Sequence, residues 1–131
     1  MGYESRIYIV ERSEHKTWIY GSQIAQFDLC KMGYYMFDGK SFRDLFKKEI
    51  DFDLNIDVKN KEHYDPEDYR TDAYGEHCKY TDIETVIYWL EIYVKEENYR
   101  RAELFLNFLY TLKEQIKKGM WREICIVHYG Y

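Results

Sequence analysis

The sequence predicts an α+β domain in which an antiparallel sheet packs against a C-terminal helical hairpin, with one short helix besides. Three observations carry that expectation. Apolar and polar residues alternate near both ends of the chain, as in half-buried strands. Apolar spacings of three and four run from residue 83 to residue 116, as on the buried face of a helix. Capping residues stand where those spacings begin and stop. The 131 residues fit a single domain, 1–131, because two separately cored halves would each be marginally stable.

Residues 5–12, SRIYIVER, alternate about Ile7 and Ile9 and read as a first strand. Residues 17–30, TWIYGSQIAQFDLC, read as a second strand or hairpin arm, with Gly21-Ser22 as its turn or bulge. KMGYYMFDGKS breaks the pattern, and Ser41 stands where it could cap a short helix, FRDLFKKEI, with Phe42, Leu45, Phe46 and Ile50 on one face. Residues 59–80 are polar, contain the only proline, and read as a long exposed loop or irregular hairpin.

Thr81 and Glu84 have the spacing of a capping box, so a helix is expected from about Asp82. Its stripe is Ile83, Val86, Ile87, Leu90 and Val94, widened by Trp89 and Tyr93. Glu96-Glu97-Asn98 interrupts it, and Asn98 is placed to cap a second helix reaching about Lys118 on Ala102, Phe105, Leu106, Leu109, Leu112 and Ile116. Lys113, Lys117 and Lys118 suit a helix C-terminus, and Gly119 supplies a left-handed stop. Two helices joined so briefly form an antiparallel hairpin. WREICIVHY reads as a closing strand, so that a sheet drawn from both ends of the chain covers the helices.

The stretch DFDLNIDVKN, residues 51–60, admits two readings. As ligand spacing, Asp51, Asp53, Asn55 and Asp57 with Glu62 outline a calcium loop. Such a loop turns sharply on glycine at its sixth position, where this chain has Ile56, and a β-branched residue resists positive φ. As periodicity, Phe52, Leu54, Ile56 and Val58 occupy one side of a strand and the carboxylates the other. The second reading accommodates all four apolar residues and is adopted. Carboxylates at alternate strand positions lie about 6.6 Å apart, a spacing similar to that of successive phosphates on a nucleic-acid strand.

Charge is gathered in the same region. Residues 49–84 hold twelve acids and four bases, a net of −8, while the whole chain is −5, so the remainder is +3. A patch of one sign costs stability by self-repulsion but steers basic partners into contact. The expected contact surface is therefore Asp51, Asp53, Asp57, Glu62, Tyr64, Asp65, Glu67, Asp68, Tyr69, Asp72, Tyr74 and Glu76, the tyrosines supplying contact area. Basic residues are scattered and no basic run exceeds a pair, which disfavours direct binding to nucleic acid.

Signs of enzyme chemistry are thin. No nucleophile elbow, Walker loop, GxGxxG, HExxH or paired zinc ligands occur, and the seven glycines are dispersed. Asp72, Glu76, His77 and Cys78 could hold a metal or a general base, although a polar hairpin tip ahead of a helix cap explains the same residues. Neither catalysis, a cofactor nor a metal is expected. Cys30, Cys78 and Cys125 are odd in number and far apart, which points to reduced thiols. Without an export signal or an apolar run long enough to cross a bilayer, a cytoplasmic, membrane-free location is expected.

At MGYESRIYIV and IAQFDLCKMGYY the chain resembles small uncharacterised proteins carried by phages and prophages of Gram-positive bacteria. The resemblance covers roughly the first third of the chain. It implies an accessory phage product acting in the host cytoplasm, a class that includes inhibitors of restriction and CRISPR effectors. The expected function is inhibition by binding: an acidic, nucleic-acid-like surface competes for the basic site of a defence or nucleic-acid-handling protein. A small metal-dependent hydrolase or nuclease, or a self-associating structural protein, are the alternatives.

Overall fold

The computed structural model describes residues 6–29, 32, 35–55, 70–71 and 76–130. The strands are β1 (Arg6–His15), β2 (Trp18–Asp28), β3 (Met36–Phe37), β4 (Lys40–Ser41), β5 (Lys48–Glu49), β6 (Asp53–Asn55), β7 (Lys79–Thr81) and β8 (Glu123–Tyr129). The helices are α1 (Ile83–Glu96) and α2 (Arg100–Lys117). Six strands form one curled sheet in the order β5-β7-β8-β1-β2-β6, and β3 with β4 forms a separate small hairpin. The architecture is the expected α+β arrangement, with the helical hairpin at the C-terminal end.

β1 lies between β2 and β8 and runs antiparallel to both. Its alternation sends Ile7 and Ile9 to one face and Tyr8 and Val10 to the other, and all four are buried. On the first face, Ile7, Ile9 and Ile126 pack against Val86, Leu90, Phe105 and Leu109 of the helices. On the second, Tyr8, Val10, Cys125 and Val127 meet Ile50, Phe52, Leu54 and Cys78. The sheet is thus covered on both faces, once by helices and once by the segment around β6.

Several elements differ in detail from the sequence expectation. Residues 42–50 make a single 3₁₀ turn, Arg43–Leu45, and then an extended strand. Phe42, Leu45, Phe46 and Ile50 are nevertheless all buried, so burial follows from tertiary packing and not from a helical face. The Asp44 carboxylate accepts the Ser41 N–H at 2.9 Å and closes that turn. Between β3 and β4, Asp38 and Gly39 have φ of 52° and 73°, the paired positive values a tight two-residue hairpin turn requires.

Gly21 is not a turn. It pairs with Arg12 in mid-strand, and the bulge falls where Ile24 is left over between the Ile9–Ala25 and Val10–Gln23 pairs. Gly21 is needed there because a Cβ would stand 2.7 Å from Phe52 Cε2. The α1 cap is Asp82, which accepts the Thr85 N–H at 2.7 Å, whereas Thr81 is held in the β7–β8 ladder opposite Ile126. At the start of α2 the capping position belongs to Tyr99, whose side chain makes no capping bond, instead of Asn98. α2 ends as expected at Gly119, φ 74°. Met120 N–H donates to Gln115 O and Gly119 N–H to Ile116 O, the bonding pattern of a Schellman stop.

The strand proposed for residues 51–60 is present as Asp53–Asn55, and residues beyond Asn55 in that stretch lie outside the described residues. β6 runs parallel to β2, pairing Tyr20 with Asp53, Gly21 with Leu54 and Ser22 with Asn55. Among the described residues, no helix is long and apolar enough to cross a membrane.

Candidate functional site

The acidic region is fastened to the sheet at three points. Asp51 faces the Arg12 guanidinium, which donates from Nε to Oδ1 at 3.1 Å and from NH2 to Oδ2 at 2.8 Å. This two-pronged contact holds the Asp51 carboxyl below its ordinary pKa, with hydrogen bonding from Arg12 the leading cause. The same guanidinium reaches Glu14 at 3.1 Å and Glu123 at 3.5 Å, so one cation serves three carboxylates.

Asp53 is the second point. Alternation sends it to the face opposite Phe52 and Leu54, as the strand reading requires, yet only 8% of it is exposed. Its Oδ2 accepts the indole N–H of Trp18 at 3.0 Å, and its Oδ1 accepts Arg70 Nε at 3.0 Å. A buried carboxylate satisfied in this way is a tie and not a display.

The third point is backbone. Ile50 N–H donates to Cys78 O at 3.0 Å, Cys78 N–H donates to Arg70 O at 2.8 Å, and Thr71 bridges to His77. Residues 50, 70 and 78 are therefore drawn together.

Of the twelve residues expected to form the contact surface, Asp51 and Asp53 are engaged within the molecule and Glu76 is exposed. Asp57, Glu62, Tyr64, Asp65, Glu67, Asp68, Tyr69, Asp72 and Tyr74 lie outside the described residues. At the described positions of the acidic face expected over residues 51–57, Asp51 is exposed and ion-paired while Asp53 is buried. Asp51 and Asp53 hold the segment in place, because Arg12, Trp18 and Arg70 are within reach of their oxygens.

The cluster of Asp72, Glu76, His77 and Cys78 does not converge at its described members. Glu76 and His77 are exposed, while Cys78 joins the apolar cluster under β1 and β8. Burial pushes the Cys125 thiol up to about 12, the opposite of what a nucleophile needs. Among the described residues, no three His, Cys, Asp or Glu side chains are grouped to hold a metal ion.

A cleft of about 510 Å³ is lined by Lys40, Lys47 and Lys48, by Asp82 and Thr85 at the start of α1, and by Ile124 and Cys125 of β8. Large apolar side chains also stand exposed elsewhere, among them Trp18, Met36, Tyr88, Leu104 and Met120. The sequence reading passed over Trp18, Arg12 and Arg70. Nothing local marks them: Arg12 and Trp18 are 39 and 35 residues from the carboxylates they meet, and Arg70 is one of four bases inside the acid-rich stretch. Comparison with protein-family models, with curated proteins and with solved structures finds no significant match.

Proposed function

We propose that this chain is a non-enzymatic binding protein whose acidic region occupies the basic, nucleic-acid-binding surface of another protein and so inhibits it. The observation that carries the reading is the gathering of charge: net −8 over residues 49–84 in a chain of net −5. The ion pairs add support. Arg12 on β1 and Arg70 within the region itself pair with Asp51 and Asp53, so the remaining acids of the segment are not needed for those ties. Carboxylates stand in for phosphates, and their attraction is long-ranged and screened by salt. The resemblance to phage and prophage proteins makes a host defence or nucleic-acid-handling protein in the bacterial cytoplasm the fitting target.

The test is competition. The immobilised chain is incubated with bacterial lysate at low and at several-fold higher salt, and bound proteins are challenged with a mixed-sequence oligonucleotide. Nucleic-acid-binding proteins should be retained at low salt and released by either salt or oligonucleotide. Retention indifferent to both would overturn the proposal.

A second reading, self-association as a structural subunit, is favoured by Tyr88 and Leu104, about two-thirds exposed on the helices at 66% and 64%. It requires a mass that grows with concentration in sedimentation equilibrium.

A further inference from the structure

Trp18 opens β2 after a two-residue loop, and 52% of its surface is exposed. An exposed tryptophan ordinarily samples several rotamers, but this one is held from two directions. Its indole N–H is donated to Asp53, and its ring packs against Tyr20 with centroids 4.7 Å apart and planes tilted by 31°. Asp53 is itself buried and clamped by Arg70. The indole is therefore a fixed, half-open aromatic surface whose ordering is complete before any partner arrives, and such pre-ordered aromatics make interface anchors.

Two features select its ligand. Donation of the N–H to a carboxylate pushes electron density into the indole, which deepens the negative potential over the ring face and favours a cation there. The residues that fasten Trp18, Asp53 and Arg70, also flank the acid-rich stretch 56–69 in sequence. That stretch holds five acids, Asp57, Glu62, Asp65, Glu67 and Asp68, against Lys59 and Lys61. A nucleic-acid base could stack on an indole, but it would bring phosphates to a part of the chain, residues 49–84, that carries net −8 in sequence. A guanidinium brings the complementary charge, is planar, and is weakly enough hydrated to stack.

We infer that Trp18, backed by Tyr20 and fixed by Asp53, is the aromatic anchor of the partner interface and receives an arginine side chain from a basic protein segment. The inference rests on the acidic-binder reading and deepens it.

The probes are fluorescent deca-arginine and deca-lysine, titrated by anisotropy against the full chain and against Trp18→Leu and Trp18→Phe. A face contact of about 1–2 kcal/mol corresponds to a fivefold to thirtyfold change in Kd. Trp18→Leu should weaken deca-arginine by that factor and deca-lysine by less than about twofold. Trp18→Phe, which keeps a ring but loses the N–H, should fall between. Melting curves establish that the variants are folded, and the phenylalanine variant carries the test if the leucine variant is not. In the native chain the indole N–H resonance lost in Trp18→Phe should shift on adding deca-arginine. Salt-sensitive binding that is equal in all three proteins would overturn the anchor and leave the acidic-binder reading standing. Binding that depends on Trp18 but not on salt would keep the anchor and remove the acidic reading. No binding of either peptide would overturn both.

Discussion

The two faces of the central sheet both bury apolar side chains but are closed by different means. On one, α1 and α2 lay a continuous stripe across Ile7, Ile9 and Ile126, and each helix is held by its own internal hydrogen bonds. On the other, a short irregular segment brings Ile50, Phe52 and Leu54 onto Tyr8, Val10 and Val127. Among the described residues that segment has three residues of ladder with β2, and it is tied by Arg12–Asp51, Arg70–Asp53 and the backbone bonds of Cys78. The difference teaches how charge can serve two purposes in one stretch of chain. Asp51 and Asp53 act as fasteners, and the binding proposed above falls to other acids of the stretch.

The largest way to test the contrast is to open a cavity on the helical side. Phe105→Ala should cost about 3–5 kcal/mol, with a single cooperative transition in denaturant. A broadened or two-step transition would show that the helical face is not one unit with the sheet.

Acid should separate the two faces by pH window. His128 is 6% exposed and packs against the rings of Phe46 and Phe42 at 5.2 and 6.5 Å. Burial, with a smaller contribution from Arg43, lowers its pKa from 6.5 to about 4. The unfolded chain therefore takes up the proton first as pH falls. Stability is fully present above pH 6.5 and should decline by about 3 kcal/mol on the way to pH 4. The Asp51 carboxyl is also lowered, so its contribution is present above the ordinary carboxylate pKa and is lost only in stronger acid. His128→Gln should flatten the upper window and leave the lower one, as read by denaturant titrations at intervals of pH.

Gly21→Ala probes the irregular face. The new methyl would collide with the Phe52 ring, and a loss of about 1–3 kcal/mol is expected. Combining it with Phe52→Leu should restore part of that loss, whereas strict additivity would mean that the two positions do not meet.

The smallest expected effect concerns the tie itself. Arg70→Ala leaves the Asp53 carboxylate without its cation, but Arg70 is 36% exposed, so water can replace it in part and about 1–2 kcal/mol is expected. Amide exchange should quicken around Asp53 and Cys78 and remain unchanged in α1 and α2.

The same contrast explains what was legible in the sequence. The helical face announces itself through Val86, Leu90, Phe105 and Leu109, because a period of 3.6 over four or five turns has no competing explanation. The irregular face gives Phe52 and Leu54 correctly as buried, since alternation needs only a few residues. What the local pattern could not supply was the destination of Asp51 and Asp53. Arg12 is 39 residues away from its partner and Trp18 is 35 residues from Asp53, and nothing in either neighbourhood marks the pairing. The missing helix at 42–50 has the same origin, because Phe42, Phe46 and Ile50 are as well spaced for a helix as for a turn followed by an edge strand. Only contact with Trp89 and His128 decides between them.

The division of labour among the acids is open to one direct measurement. One variant carries Asp51→Asn; another carries Asp57→Asn, Glu62→Gln, Asp65→Asn, Glu67→Gln and Asp68→Asn. Melting temperature and salt-sensitive retention of nucleic-acid-binding proteins are measured for both, with retention read well below the melting point. The first variant should melt lower and still retain its partners; the second should melt as the parent does and retain nothing. Undiminished retention by the second variant would contradict the account.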